Sequence, residues 1–327
     1  MSHQVTLSDI ALPGRAGDPD FRLSTYQCGD EKATPIVFVH GFPDVALGWQ
    51  HQLQVVADAG FRAIAPNMRG YATSSCPREI SAYTMAELTG DLVALLDALN
   101  IEKAIFVGHD WGGWITWGMP VLHPTRTMGI ANSCTPYIPF PDIQTHANVV
   151  DGEAERQYVV WFQEPDVAET LMDQHVEPIV RKIMRHAAPL KDVIEAAIID
   201  GKINMNPFIN AHEVDGVGAP LLSDEDFAHY VKCFETSGFR GGINYYRNID
   251  NNIAAHPDIG VKPLDLPCLM ITAELDPGLR PEFAADMPDR CSDLEMHMIE
   301  GAAHWVQQEN AAEFNGLLVE WLSRKFG

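Results

Sequence analysis

AIFVGHDWG, residues 104–112, decides how the chain is read. Ala104–Val107 is a continuous apolar run, the mark of a strand covered on both faces. Gly108-His109-Asp110-Trp111-Gly112 follows it and opens a helical pattern, with the spacing of a G-x-nucleophile-x-G elbow. The glycines permit a tight strand-to-helix turn that pushes the middle side chain outward. That middle residue is Asp110, where the motif more often carries serine, and the difference selects the chemistry. A serine needs a base to become nucleophilic. A carboxylate, with an ordinary pKa of roughly 4, is already ionised near neutrality. It is a poor acyl-transfer nucleophile but displaces a leaving group at a saturated carbon. The product is an ester on Asp110, which water must then attack at the carbonyl carbon. The site therefore needs an oxyanion hole around its own nucleophile and a base for water. Taken alone, the pentapeptide also fits an aspartate capping the next helix; the flanking motifs weigh against that.

Outward from the elbow, apolar runs and helical patterns alternate. Pro35–Val39, Arg62–Pro66 and Gly129–Ala131 read as strands, and two shorter β-like runs precede them at Gln4–Leu12 and Phe21–Cys28. Thr84–Leu99 carries Met85, Leu88, Leu92, Leu95 and Leu96 at helical spacing. Cys268–Thr272 and Leu294–Ile299 are late strands, and Ala311–Phe326 is a closing helix. Such alternation predicts an α/β fold with a doubly wound parallel sheet. Between about residues 134 and 260 the rhythm breaks into mostly helical patterns, and a structureless loop of that length is anomalous. The expectation is a core in two parts, 1–134 and 261–327, with a helical cap, 135–260, over the carboxyl ends of the strands. Ligands bind at those ends in open α/β sheets. Pro120, inside the helix after the elbow, is expected to kink or shorten it, with Pro124 ending it.

The remaining catalytic parts follow from position. His40-Gly41-Phe42-Pro43 comes directly after the strand Pro35–Val39. With the residue after the nucleophile, that loop supplies the oxyanion donors in this kind of site, here the backbone amides of Phe42 and Trp111. Such donors are often worth about 3 kcal/mol each. The His40 side chain itself reads as structural. His304, in Gly301-Ala302-Ala303-His304-Trp305 between the last strand and the closing helix, is the candidate base for water. The acid that orients it should follow Cys268–Thr272, where Glu274 and Asp276 are both available. Asp276, later in the loop and before Pro277, is the better choice, although an Asx turn there explains it too.

Composition narrows the partners. Among 327 residues, 45 acids stand against 22 lysines and arginines, a net charge of −23. So acidic a surface repels phosphate backbones and anionic lipid, which argues against nucleic-acid and membrane partners. No apolar run reaches the roughly 18 residues that span a bilayer, and MSHQVTLSDIALPGR at the start lacks the features of a leader. Six cysteines without a C-x-x-C pair read as free, buried thiols of a reducing compartment, hence a cytoplasmic protein. Neither a metal-ligand cluster nor a phosphate-cradling glycine loop is recognisable, so no metal and no organic cofactor is expected.

Together, HGFPD (40–44), GHDWGG (108–113), SGFRG (237–241) and GAAHW (301–305) resemble the epoxide hydrolases of the α/β-hydrolase superfamily, from about residue 20 to the C-terminus. The resemblance implies an eight-stranded, mostly parallel sheet flanked by helices. It also implies two cap tyrosines that donate protons to the epoxide oxygen. Tyr158, leading into Phe162-Gln163-Glu164-Pro165, matches the first, and Tyr246 the second, with Tyr245 a near neighbour. The implied reaction joins an epoxide and water into a vicinal diol. Opening an epoxide yields a strongly basic alkoxide, to which a phenol of pKa near 10 donates readily. A departing halide needs no proton. This distinguishes the reading from the haloalkane dehalogenases, which share the elbow and the His-Gly pair but usually place a halide-binding side chain where Phe42 stands. A fold that kept its shape and lost catalysis is a second alternative. Phe42, Trp111, Tyr137, Phe140, Trp161, Phe162 and Trp305 are candidate walls for a small apolar, aryl-bearing substrate. Cap surfaces in similar enzymes pair, so a homodimer is a further expectation.

Overall fold

The computed structural model describes residues 4–327 apart from Asp151 and Val214. Met1–His3, the head of the stretch read for a leader, lie outside the described residues. Among the described residues ten strands are formed: β1 Thr6–Ala11, β2 Arg22–Cys28, β3 Pro35–Val39, β4 Arg62–Pro66, β5 Ala104–His109, β6 Thr127–Ser133, β7 Ile198–Ile199, β8 Lys202–Ile203, β9 Leu264–Ala273 and β10 Cys291–Ile299. Eight of them make one sheet in the order β1-β2-β4-β3-β5-β6-β9-β10. β1 and β2 pair antiparallel, and β2 is antiparallel to β4. Every pairing from β4 onward is parallel. β3, β4 and β5 are buried along almost their whole length, as continuous apolar runs require, whereas β1 at the edge is exposed.

The core helices are α1 Gln50–Asp58, α2 Met85–Ala98 and α3 Trp111–Leu122. Thr84 caps α2, its side chain accepting the Glu87 amide, and Leu88, Leu92, Leu95 and Leu96 are buried on the sheet. α3 runs through Pro120 and ends at Leu122, so the proline does not break it. It sits in the last turn, where its missing N–H frees only the Thr116 carbonyl. A short 3-10 turn from Pro124 to Arg126 follows.

Between β6 and β9 lie the cap helices α4 Ile143–Asn148, α5 Tyr158–Trp161, α6 Ala168–Gln174, α7 Val176–Ile183, α8 Leu190–Ala196, α9 Asp224–Ser237, α10 Arg240–Arg247 and α11 Ile249–Ala255, with the small β7–β8 hairpin. The chain then returns to the sheet and closes with α12 Val306–Glu309 and α13 Ala311–Phe326. Cap and core touch backbone to backbone, since a Cβ on Gly241 of α10 would collide with Gly70. One continuous hydrophobic cluster runs from the sheet (Val37, Phe106, Ile130) into the cap (Phe162, Ile179, Phe234, Ile243). All six cysteines are free; five are buried, and Cys76 is exposed, unlike the uniformly buried set expected.

Candidate active site

Four loops at the carboxyl ends of β3, β5, β9 and β10 converge beneath the cap. At the first, Asp110 leaves β5 with φ 52° and ψ −121°, a conformation costly for any residue with a Cβ. The turn survives because its neighbours have none: a Cβ on Gly112 would strike the Val39 carbonyl, and one on Gly41 would strike the Asp110 side chain. Asp110 Oδ1 accepts the Phe42 amide at 2.8 Å. Burial raises the Asp110 pKa; the charge of His304 and then the amides of Phe42 and Trp111 oppose it without cancelling it.

His304 Nε2 lies 3.7 Å from Asp110 Oδ2, and its Nδ1 is 2.9 Å from Asp276 Oδ2. Asp276 is itself fixed, its Oδ1 accepting the Gly278 and Leu279 amides at 2.9 Å each. Burial acts to raise the Asp276 pKa, but the charge and hydrogen bond of His304 and then the two amides hold it well below the usual carboxylate range. Burial acts to lower the pKa of His304, but Asp276 and then Asp110 overcome it and raise the imidazole to about 9. Glu274, the other acid offered by that loop, is used elsewhere, its Oε2 accepting the Gly301 amide at 2.8 Å. The Asp110 and His304 side chains keep 15% and 24% of their surface accessible, enough to meet a small molecule without opening the site to bulk water.

The cap contributes the aromatic roof. The rings of Tyr158 and Tyr246 meet edge to face at 5.6 Å, and Tyr246 packs on Trp111 at 5.0 Å and on Phe42 at 5.5 Å. Burial raises both phenol pKa values, and they are raised further by the charge of Asp110 for Tyr158 and by Tyr158 and then Asp110 for Tyr246. Tyr245 points away: its hydroxyl donates to the Arg69 carbonyl at 3.0 Å. Phe162 packs on Phe42, Tyr158 and Tyr246. Trp161 packs against Phe162 at 5.7 Å. Trp305 meets His304 edge to face at 4.7 Å, and Phe140 lies against Trp111 at 5.2 Å. Tyr137 is not brought here. Its ring packs on Trp117 at 5.1 Å and its hydroxyl donates to the Lys262 carbonyl at 2.8 Å, so it is a core anchor and not a wall.

Two contributors were missed in the sequence. Phe208 meets Phe42 and Tyr158 at 5.7 Å each. It follows Asn206-Pro207 in a stretch without periodicity, so nothing marked it. His109, the variable residue of the elbow, is wholly buried, and its Nε2 donates to the His304 carbonyl at 2.7 Å. A buried polar residue inside an apolar run was the available signal. Burial pushes its pKa down to about 3, so it is a neutral tether. The His40 side chain is structural as read: its Nδ1 donates to the Gly41 carbonyl and its Nε2 accepts the Met68 amide. His109, Cys134 and His304 bring possible metal-ligand atoms within 4.8 Å of one another. Both ring nitrogens of His304 face carboxylates, Asp276 and Asp110, and His109 Nε2 donates to the His304 carbonyl, while His109 Nδ1 is buried without a hydrogen-bond partner.

The family model for the alpha/beta hydrolase fold matches residues 34–311. Epoxide hydrolase A of Mycobacterium tuberculosis is 34% identical over 318 residues, covering 92% of this chain and 94% of that protein. Bifunctional epoxide hydrolase 2 of Sus scrofa is 32% identical over 93% of this chain, and the chain spans about half of that protein's length, 54%. The crystal structure of epoxide hydrolase A from Mycobacterium thermoresistibile superposes with a TM-score of 0.84 at 30% identity, covering 98% of each chain.

Proposed function

This chain belongs to the epoxide hydrolases of the alpha/beta hydrolase fold, and from that premise we propose that it converts an epoxide and water into a vicinal diol through an ester on Asp110. Tyr158 and Tyr246 hold the epoxide oxygen, and Asp110 attacks a ring carbon. The C–O bond breaks, and a phenol proton passes to the alkoxide. His304, oriented by Asp276, then takes a proton from water, which attacks the Asp110 carbonyl. The amides of Phe42 and Trp111 stabilise the oxyanion; as the ester C–O bond breaks, the His304 imidazolium gives its proton to the departing diol oxygen, and the proton of the new Asp110 carboxyl group returns to the phenolate, so that Asp110, His304 and the tyrosine are all restored as the diol departs.

The observation that carries this reading is that Asp110, 3.7 Å from His304 Nε2, sits between the Phe42 and Trp111 loops on which Tyr246, paired with Tyr158, is packed. The charge of Asp110 raises the pKa values of both phenols and of the imidazole, and ester formation removes that charge. The phenols thereby become better acids as the alkoxide develops. The imidazole, losing one of the carboxylates that raise it, becomes able to accept a proton from water. One covalent step readies both halves of the chemistry.

The apolar roof of Phe162, Phe208 and Phe42 supports a small apolar substrate. Phe42 offers no polar side chain to a halide, which favours an epoxide over a haloalkane. Intact-mass analysis of His304→Gln incubated with styrene oxide tests the reading. An adduct of substrate mass on the peptide containing Asp110 is the expected result; no adduct across a broad epoxide panel overturns it.

Among the described residues, no helix is long and apolar enough to cross a membrane. The six free thiols support a reducing, cytoplasmic setting. The exposed apolar side chains of Leu190, Ile194, Ile198 and Ile203 support pairing of two chains through the cap, which sedimentation velocity tests; a monomer at micromolar concentration overturns it.

A further inference from the structure

The histidine loop and the cap meet at a carboxylate that the chemistry above does not use. Glu309, the last residue of α12, folds back over the loop that carries His304. Its Oε1 accepts the Trp305 amide at 2.9 Å and its Oε2 accepts the Ala303 amide at 3.2 Å. The residues on both sides of His304 are therefore bound by one side chain. Oε2 takes a third donor, the Ala187 amide, at 2.7 Å. Ala187 belongs to the cap, in the connection after α7. A parallel tie runs from Trp305 Nε1 to the Ile183 carbonyl at 3.0 Å, at the end of α7 itself.

On one flank, packing does not duplicate this clasp. A cavity of about 250 Å³ adjoins it, lined by His186, Ala187, Gly301, Ala302, Glu309 and Asn310. On that flank the loop is held by these hydrogen bonds, whereas on the other the buried Trp305 ring packs against His109 and His304. A carboxylate suits three converging N–H groups, since both its oxygens accept and neither donates. Position matters here because His304 Nε2 is 3.7 Å from Asp110 Oδ2, and a displacement of about 1 Å at a reacting group can cost about 100-fold in rate.

We propose that Glu309 is a positioning residue that couples the seating of the cap to the water-activating step. It holds His304 in register with Asp110 while the cap segment at Ala187 is docked. This rests on the covalent reading above. Ester formation needs Asp110 and the two phenols, none of which Glu309 touches. Ester breakdown needs His304, whose two flanking amides it binds.

The test is single-turnover rapid quench with styrene oxide, read by intact mass, on the unmodified protein, Glu309→Ala and Glu309→Gln. Ester formation should stay within about threefold of the unmodified rate in both variants. Breakdown should fall about 100-fold in Glu309→Ala, so that ester accumulates and kcat and KM fall together. Glu309→Gln keeps one accepting oxygen and turns an NH2 towards the other donors, so it should fall between. Hydrogen exchange on the same proteins should find the amides of Ala187, Ala303 and Trp305 losing protection together. Breakdown at the unmodified rate overturns the proposal, as does loosening of 303 and 305 with 187 still protected. If Glu309→Ala fails to fold, Glu309→Gln decides by the same two readouts. If the unmodified protein forms no ester at all, the covalent reading falls, and hydrogen exchange alone decides whether the clasp exists.

Discussion

The Phe42 amide donates to Oδ1 of Asp110 at 2.8 Å, so the donor suited to an oxyanion already points at the nucleophile's own carboxyl group. That arrangement is wasted on a substrate carbonyl and useful for charge developing on Asp110 itself. It predicts where water's oxygen goes. In a single turnover in 18O-labelled water, with enzyme in excess, the diol should carry no label and the peptide containing Asp110 should gain one 18O. Label in the diol after one turnover would mean that water attacks the epoxide directly.

The two cap phenols should matter for bond-making and not for bond-breaking. Tyr158→Phe and Tyr246→Phe should each slow ester formation by about 100-fold, at the low end for loss of a general acid, and the double variant should lose it altogether. Breakdown of ester already formed should be nearly unchanged. Tyr245→Phe, whose hydroxyl binds a core carbonyl, should instead lower the melting temperature with little effect on rate. Pre-steady-state kinetics beside thermal melts separate these outcomes; a Tyr245→Phe variant as slow as Tyr246→Phe would reverse the assignment.

pH should act through His304 in a definite direction. Its folded pKa is raised from 6.5 to about 9, so its stabilising contribution is fully present below pH 6.5 and is lost as pH rises through about 9. The melting-temperature advantage of the unmodified protein over His304→Gln should therefore shrink between pH 6.5 and about 9. Asp276 works in the opposite sense. Its pKa is lowered, so its contribution is present above pH 3.8 and fades as pH falls through its folded value. The acid limb of kcat/KM should lie above pH 3.8, because Asp110 must be ionised to attack and its pKa is raised. A gap between the two proteins that stays constant from pH 6.5 to 9 would contradict the ion-pair account.

The elbow stores strain. Asp110 at φ 52° costs about 1–3 kcal/mol, while glycine adopts that angle freely and gives back roughly 0.5–1 kcal/mol in chain entropy. Asp110→Gly should therefore be inactive yet more stable by about 1 kcal/mol in denaturant unfolding, and relief from burying a carboxylate adds to the gain. A variant less stable than the unmodified protein would show that the backbone there is not strained.

How much of this was legible in the residues follows from where periodicity exists. β3 and β4 were read to the residue because a strand buried on both faces is a bounded apolar run. β5 and β6 run beyond their apolar centres, into His109 and Ser133, because neighbouring strands rather than composition set where pairing stops. That Asp110, His304 and Asp276 would be brought together was legible because each sits at a fixed place after a strand. The pocket walls were less so. Tyr137 and Phe208 are both aromatic residues in aperiodic cap chain, and only tertiary contact sends the first to Trp117 and the second to Phe42. Pro120 falls in the final turn of α3, where an interior proline costs least, and the helix ends at Leu122 ahead of Pro124.

Adjacent tyrosines on α10 part company, one moored to the Arg69 carbonyl and the other packed on Phe42, Trp111 and Tyr158. Arg69 is wholly buried and held by Asp91, so the mooring is as rigid as the core. Anyone redesigning this enzyme for bulkier epoxides inherits a fixed pivot at residue 245 and the proposed donor at 246. Room is better made by trimming Phe208, which bears on both Phe42 and Tyr158 yet belongs to neither the elbow nor α10.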